Sequence, residues 1–331
     1  ALFLQSKEVG ELTELLKREK PDAIILTNVA SDADAALIKS AKRGNIKTIG
    51  IPKSWDNMNK YGFRAKPDIL VVWSEFMKRE AMGFQNYLAD GIKIVGIPQF
   101  DRYLDKSRIW SREKFLSEMG LEKDRQVLFF GSEGKLLPTD SNIASILSDL
   151  VTSESLKKKC QLLIRPHFGY TDDEIKFSHL FDKPHLKVDL YNEPSRGFRD
   201  HWDYSNEFFD RFVNCIYHSD IIISTYSTLA LDGAAFDKPL INIGFDGVKT
   251  EPYERSVRRW EEVTYFKAVL DENAMRNVKC AEDMKSAIND YLSNPSLQSK
   301  ERDGLRRKFC HKIDGQSGRR FAEVIEREIS T

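Results

Sequence analysis

The chain has 331 residues, 41% of them hydrophobic and 31% charged, which is enough apolar material for two cores and excludes a disordered chain. Its 51 Lys and Arg balance 51 Asp and Glu, so no overall field recruits nucleic acid, and any anion must be met by local groups. Cys160, Cys215, Cys280 and Cys310 lie far apart, with no CxxC pair and no histidine at ligand spacing, which predicts reduced thiols, a cytoplasmic protein and no metal site.

Short β-branched runs alternate with amphipathic stretches from the start of the chain. Strands are predicted at Ala23–Thr27, Lys47–Ile51, Ile69–Trp73 and Ile92–Ile97, and helices at Ser6–Arg18, Asp32–Arg43 and Ser74–Ala89. This is the βαβ pattern of a parallel sheet. The half opens on a helix, without a first strand and its glycine turn, and is expected to be incomplete. A charged stretch after Gly96-Ile97-Pro98 reads as a connection. A second series then places strands at Val127–Phe130, Gln161–Ile164, Leu186–Leu190, Asp220–Ser224, Leu240–Ile243 and Ala268–Leu270. Helices fall at Ser141–Thr152, Glu207–His218, Thr228–Phe236 and Ala281–Leu292. The expected α/β organisation is a Rossmann-like acceptor domain over 1–105, a connection over 106–125 and a Rossmann-like nucleotide-donor domain over 126–295. Helices over 296–331 are expected to pack back toward the first domain. No apolar run reaches the ~20 residues of a bilayer span, so membrane contact is expected to be peripheral, at the inner face.

Ligands of such sheets bind at the carboxyl ends of the strands. Ser224-Thr225-Tyr226-Ser227-Thr228 places five hydroxyl residues between a strand and the helical run Leu229-Ala230-Leu231. One of them caps the helix, or together they cradle a diphosphate on the helix N-terminus. Asp232 follows among Leu231, Gly233, Ala234 and Ala235, where a carboxylate needs a donor such as a ribose diol or a backbone cluster. Asn242, Gly244 and Asp246 edge the same mouth. Arg165-Pro166-His167 ends another strand and suits a phosphate ester. Gly131-Ser132-Glu133-Gly134-Lys135 lets backbone approach a ligand, although two residues between its glycines, not four, exclude a P-loop. In the first half Ile51-Pro52-Lys53-Ser54-Trp55-Asp56-Asn57 puts Asp56 at a strand end, as a general base or as a helix cap. Lys53 and Arg64 are placed to position an anionic acceptor, and His167 is the second catalytic candidate.

Ser219 through Thr228, with Asp232 and Lys238-Pro239, resembles the donor-site signature of CDP-glycerol glycerophosphotransferase-like proteins, a GT-B group that builds teichoic acids and related surface polymers. Arg165-Pro166-His167 resembles their second donor motif. Asp314-Gly315 with Arg319 resembles their C-terminal signature, and Val95 through Asp101 the strand and turn before the crossover. The resemblance runs from Ile51 to Arg320. It implies two Rossmann-like domains facing across a cleft, a CDP-, CMP- or UDP-linked donor and metal-independent transfer. Where the group's polymerases carry Trp-His-Gly, this chain has Ser54-Trp55-Asp56-Asn57, which implies a relative that moves a sugar. The expected activity is therefore a glycosyltransferase or glycerophosphotransferase-like transfer of a sugar or polyol phosphate. Its acceptor is a hydroxyl of a surface polysaccharide or a lipid-linked glycan. Two rivals share the architecture: a UDP-N-acetylglucosamine 2-epimerase-like enzyme and a non-catalytic nucleotide-sugar binding protein. Against the epimerase, all six histidines (His167, His179, His185, His201, His218 and His311) fall in the second half of the sequence.

Overall fold

A computed structural model describes residues 2–134, 137–170, 172–193 and 202–330; Lys135 and His201 lie outside them. The chain forms two compact units, the first of Ala1–Leu104 with Arg306–Thr331, the second of Asp105–Leu305.

In the first unit helix α1 (Leu2–Glu19) packs on α2 (Asp32–Arg43), and strands β1 (Ala23–Leu26), β2 (Lys47–Gly50), β3 (Ile69–Val72) and β4 (Ile92–Ile94) form one parallel sheet in chain order. Helices α3 (Asn57–Lys60) and α4 (Glu75–Gln85) follow β2 and β3. Ser31 and Ser74 start α2 and α4 as N-caps, accepting from the backbone N–H of Asp34 and Met77. Asn86, in the left-handed region at φ 52°, ends α4.

The second unit contains α5 (Arg112–Glu118), β5 (Gln126–Gly131), α6 (Asp140–Thr152), β6 (Cys160–Arg165), β7 (Leu186–Val188), α7 (Asn206–His218) and β8 (Ile221–Ser224). It continues with α8 (Leu229–Ala235), β9 (Leu240–Ile243), α9 (Thr264–Leu270), β10 (Arg276–Val278), α10 (Ala281–Ser293) and α11 (Ser299–Leu305). Its six strands are all parallel, in the order β10-β9-β8-β5-β6-β7. Residues of β5, β6, β8 and β9 pack with α6 and α10 in one buried core. They read as continuous apolar runs because both faces of a parallel sheet are covered.

Three expectations change. Ala268–Leu270 is the last turn of α9 rather than a strand, because Tyr265 and Val269, four residues apart, bury one helical face. The sixth strand is Arg276–Val278, an edge strand too polar to announce itself. The predicted connection belongs to the second unit: Trp110 N–H donates to Asn214 Oδ1 at 2.7 Å, Asn214 Nδ2 to the Arg108 carbonyl at 2.9 Å, and Arg108 pairs with Asp210 at 2.9 Å. Of the C-terminal helices, α11 stays with this unit, where the fully buried Arg302 meets Asp237 at 2.8 Å.

From Arg306 the chain is part of the first unit again. Helix α12 (Ser317–Ile329) lays Phe321, Val324 and Ile325 on Ile49, Ile69, Val71 and Val95. Its start is held by Asp101, whose two carboxylate oxygens accept from the backbone of Ser317 at 3.0 Å and Gly318 at 2.7 Å. Arg320 grips Asp314 with both terminal nitrogens, at 2.9 and 3.0 Å, and donates from Nε to the Val95 carbonyl at 2.7 Å. Gly96, at φ 90°, has no room for a Cβ, which would lie 2.6 Å from Ser317 Oγ. The two distant segments Val95–Asp101 and Asp314–Arg320 are thus one structural joint; the arginine in it is Arg320, while Arg319 pairs at the surface with Glu323. Among the described residues no helix is long and apolar enough to cross a membrane.

The carboxylate of Asp101 satisfies two N-terminal donors of α12 and opposes the positive end of its dipole. Asp101→Ala is expected to cost about 1–2 kcal/mol in chemical denaturation of the intact chain, and Asp101→Asn less. A midpoint unchanged in both variants would contradict the joint.

Candidate active site

The strand order of the second sheet reverses at β5. Its neighbours β6 and β8 both run parallel to it but lead away in opposite directions, which makes the β5/β8 boundary the topological switch point where an open sheet leaves a crevice. The register brings four strand ends level: Gly131 is opposite both Arg165 and Ser224, and Ser224 is opposite Asn242. Three of the sequence motifs therefore meet at one edge. Leu229, the first residue of α8, closes over Gly131 so tightly that a Cβ there would lie 2.6 Å from Leu229 Cδ2.

The loop after β5 is anchored from within. Ser132 Oγ donates to Asp140 Oδ2 (3.0 Å) or Asp173 Oδ2 (2.8 Å) and accepts from Gly134 N–H (3.0 Å). Glu133 N–H also donates to Asp140, and His167 N–H to Asp173, both at 2.8 Å. Lys176 joins the two acids, 2.8 Å from Asp173 and 3.4 Å from Asp140. Burial raises the Asp140 carboxyl to about 6, against the pull of Lys176, Glu133 N–H and Ser132. The carboxyl pair therefore ties the loop 132–134 to the loop after β6, and Ser132 is committed to that tie.

Arg165 is buried at the end of β6. Its guanidinium is buried, forms an ion pair with Asp189, which Arg211 also holds at 2.9 Å, and lies over the rings of Phe168, Phe208 and Phe212 at 5.2, 4.6 and 5.4 Å. These contacts make Arg165 part of a scaffold under the strand end, with one terminal guanidinium nitrogen buried and without a hydrogen-bond partner among the described residues. His167 follows on the surface of that scaffold, half-buried, with the rings of Tyr170 and Trp202 at 4.9 and 5.3 Å.

In the hydroxyl turn Ser224, Thr225 and Tyr226 are buried, Ser227 half-buried and Thr228 exposed. Tyr226 takes the left-handed conformation, φ 46°, and its N–H donates to Asn242 Oδ1 at 2.7 Å. That bond fixes the turn to the next strand, where Asn242 Nδ2 reaches Asn277 Oδ1 at 2.9 Å. Burial pushes the Tyr226 phenol well above its usual range. Ser227 Oγ accepts from Leu229 N–H at 3.2 Å, Thr228 makes no side-chain cap bond, and Thr225 Oγ1 is buried with no hydrogen-bond partner among the described residues. Asp232 is buried on α8. Asp246 organises the loop after β9, accepting from Ser256 Oγ and Val257 N–H, both at 2.8 Å. Along the same edge a groove of about 910 Å³ opens, lined by Phe245, Asp246, Tyr253, Arg258, Glu261 and Lys279.

In the first unit Asp56 is buried just after β2. It precedes α3 without capping it; instead its carboxylate meets Lys60 Nζ at 3.3 Å and Asn57 Nδ2 at 3.2 Å. Lys60, one helical turn on, is a cation that the sequence motifs do not single out. Lys53 is exposed, and Arg64 forms an exposed ion pair with Asp32. Among the described residues no cluster of His, Cys, Asp and Glu has metal-site geometry.

The sequence profile of the CDP-Glycerol:Poly(glycerophosphate) glycerophosphotransferase family matches residues 46–327. The chain belongs to this family, a class of transferases that use a nucleotide-activated donor and act on surface polymers. Solved structures share its fold. UDP-GlcNAc 2-epimerase from Neisseria meningitidis, bound to UDP-GlcNAc, superposes with a TM-score of 0.62 at 13% identity, covering 98% of this chain and 81% of that one. A glycosyltransferase from Rickettsia africae gives 0.57 at 14%, covering 100% and 83%. The wall teichoic acid polymerase TagF, soaked with CDPG, gives 0.54 at 12%, covering 98% and 84%. These likenesses and the two parallel-sheet units show a GT-B-like α/β fold. No curated protein matches the sequence significantly.

Removing one partner from a buried ion pair strands the other. Arg165→Ala is expected to lower the stability of the nucleotide-free protein by roughly 3 kcal/mol, read from denaturant midpoints. Full stability together with lost nucleotide affinity would restore the direct phosphate contact.

Proposed function

We propose that this chain transfers a polyol phosphate, or in a close variant a sugar, from a CDP-linked donor to a hydroxyl of a surface-polymer or lipid-linked acceptor. The supporting observation is the level meeting of Gly131, Arg165, Ser224 and Asn242 at the switch point, in a chain of this family. CMP- and UDP-linked donors are the alternatives to CDP.

In this reading the turn Ser224–Thr228 receives the diphosphate, with Thr225 and Thr228 offering hydroxyls that the fold does not spend on capping. Gly131, Glu133 and Gly134 supply close backbone, and Asp232 meets the ribose or the transferred group. His167 donates to the departing phosphate. Arg165, Ser132 and Tyr226 shape the site without touching the donor. Asp56 is the acceptor-activating base, paired with Lys60, and Lys53 positions an anionic acceptor. The acceptor oxygen attacks the β-phosphorus of a CDP-linked polyol, its proton passes to Asp56, the P–O bond to the α-phosphate breaks, and CMP leaves. With a sugar nucleotide, the bond from C1 to the phosphate oxygen breaks instead. Preorganised donors stabilise the departing charge.

The epimerase reading has less support. The histidine argument against it does not carry, because His311 belongs to the first unit; the family assignment does.

Mass spectrometry of CMP release from CDP-glycerol, with and without a polyol-phosphate polymer or lipid-linked acceptor, tests the proposal. Release should depend on acceptor. Asp56→Asn should lose ~10²–10⁴-fold in turnover while calorimetric CDP affinity stays unchanged. Acceptor-independent epimerisation of UDP-N-acetylglucosamine, or nucleotide binding without turnover of any donor, would overturn it.

A further inference from the structure

Glu80 takes no part in the chemistry proposed for Asp56, yet it is a buried acid close to it. It lies on α4 with Oε1 accepting from Asn59 Nδ2 at 2.8 Å, while Oε2 is buried without a hydrogen-bond partner among the described residues. Asn59 is on α3, three residues after Asp56. One turn along α4, Gln85 Nε2 donates to the carbonyls of Met58 and Tyr61, both at 2.6 Å, and its Oε1 accepts from Phe63 N–H at 3.0 Å. A four-residue helix cannot sustain itself. The turn that carries Asp56 is therefore held on α4 by Glu80 and Gln85.

The elements packed against α4 carry charged groups of their own. Lys60, the last residue of α3, and Asp56, just before that helix, are paired with each other. On α4 itself stand Lys78 and Arg79; β4 carries Lys93, directed to Glu328 at 3.9 Å; and the turn Arg306–Cys310, packed against α4, carries Lys308 over the rings of Phe76 and Phe309. No ion pair of the Glu80 carboxyl is found among the described residues, and the negative charge of Asp56 acts on it. Burial raises Glu80 to about 7; the Asn59 bond opposes this, and Asp56 adds to it.

We propose that Glu80 is a positioning residue for Asp56, a second carboxyl that holds α3 through Asn59 and, by keeping or releasing its own proton, sets the charge beside the Asp56–Lys60 pair. The proposal rests on the reading of Asp56 as the base. With Glu80 protonated, Lys60 neutralises Asp56 alone. When Glu80 loses its proton to solvent, a second negative charge stands beside the Asp56–Lys60 pair.

Two measurements separate this proposal from the reading beneath it. The first needs no turnover. The folded value of Glu80, about 7, lies above the ordinary 4.5, so the folded chain holds an extra proton between these values. The stability this group contributes is complete below about 4.5 and is lost as pH rises through about 7. Glu80→Gln keeps the contact to Asn59 but cannot ionise, so its Tm relative to wild type should rise from pH 5 to pH 8.5. The second is the ratio of wild-type to Glu80→Gln turnover against pH, at saturating CDP-glycerol and acceptor. It should show a step centred near 7, with CDP affinity equal in both proteins. Asn59→Ala, which removes the bond favouring ionisation, should move the wild-type step to higher pH, and it decides the matter if Glu80→Gln does not fold. A Tm difference independent of pH overturns the proposal whatever Asp56 does. A pH-dependent Tm difference with a flat turnover ratio reduces Glu80 to packing and also overturns it. Full activity of Asp56→Asn removes the base reading itself.

Discussion

The second sheet starts at its centre: β5 leads to β6 and β7 on one side, and the chain then crosses back to β8, β9 and β10 on the other, so right-handed crossovers put the two sets of connections on opposite faces and they part between β5 and β8. That constraint creates the crevice in the second unit. The strand ends are level there because β6, β5 and β8 stop in register at Arg165, Gly131 and Ser224, with Asn242, the last residue but one of β9, opposite Ser224. Beyond each end the backbone is held by buried polar groups rather than by loop sequence alone. Asp140, Asp173 and Lys176 clamp the backbone after β5 and β6, and Asn242 holds Tyr226 in its left-handed conformation. A buried polar network is costly unless each member is paired. Its presence directly behind the crevice means that rigidity is concentrated where a charged donor would need preformed contacts.

The first unit solves a different problem. Its sheet has strands in chain order and no reversal among the described residues, so topology alone supplies no crevice. Instead the chain returns after Arg306 and closes the sheet with α12, and the carboxylates of Asp101 and Asp314 fasten that return. Asp56 stands after β2, just before a helix too short to be stable alone, and α4 supplies the missing support. The donor and acceptor roles proposed for the two units would thus rest on unlike foundations: an inherent feature of sheet order in one, side-chain bracing of a single turn in the other.

Much of the fold is legible in the sequence because strands covered on both faces are written as unbroken runs such as Val127–Phe130 and Ile221–Ile223. Serines 31, 74, 111 and 205 mark helix starts by the same local logic. The edge strand Arg276–Val278 is not legible, since one polar triplet carries no period, and the apolar Ala268–Leu270 takes its place. The motifs at the strand ends are found by position, but their partners are not. Nothing in Arg165-Pro166-His167 discloses that Asp189, 24 residues on, captures the arginine. The spacing of four between Asp56 and Lys60 is a helical distance and could reveal the pair, but α3 has too few apolar residues to announce a helix. Glu80 stays hidden for the opposite reason: a glutamate in an amphipathic helix is ordinarily a solvent-facing residue, and only packing against α3 buries it.

The central claim is that a donor nucleotide binds at the switch point of the second unit. Hydrogen–deuterium exchange of the intact chain with and without saturating CDP tests it directly. The account predicts slower exchange in peptides covering 131–134, 165–170 and 224–231 together, since these segments meet at one edge. Protection confined to other segments at full CDP occupancy, or none at all, would contradict it.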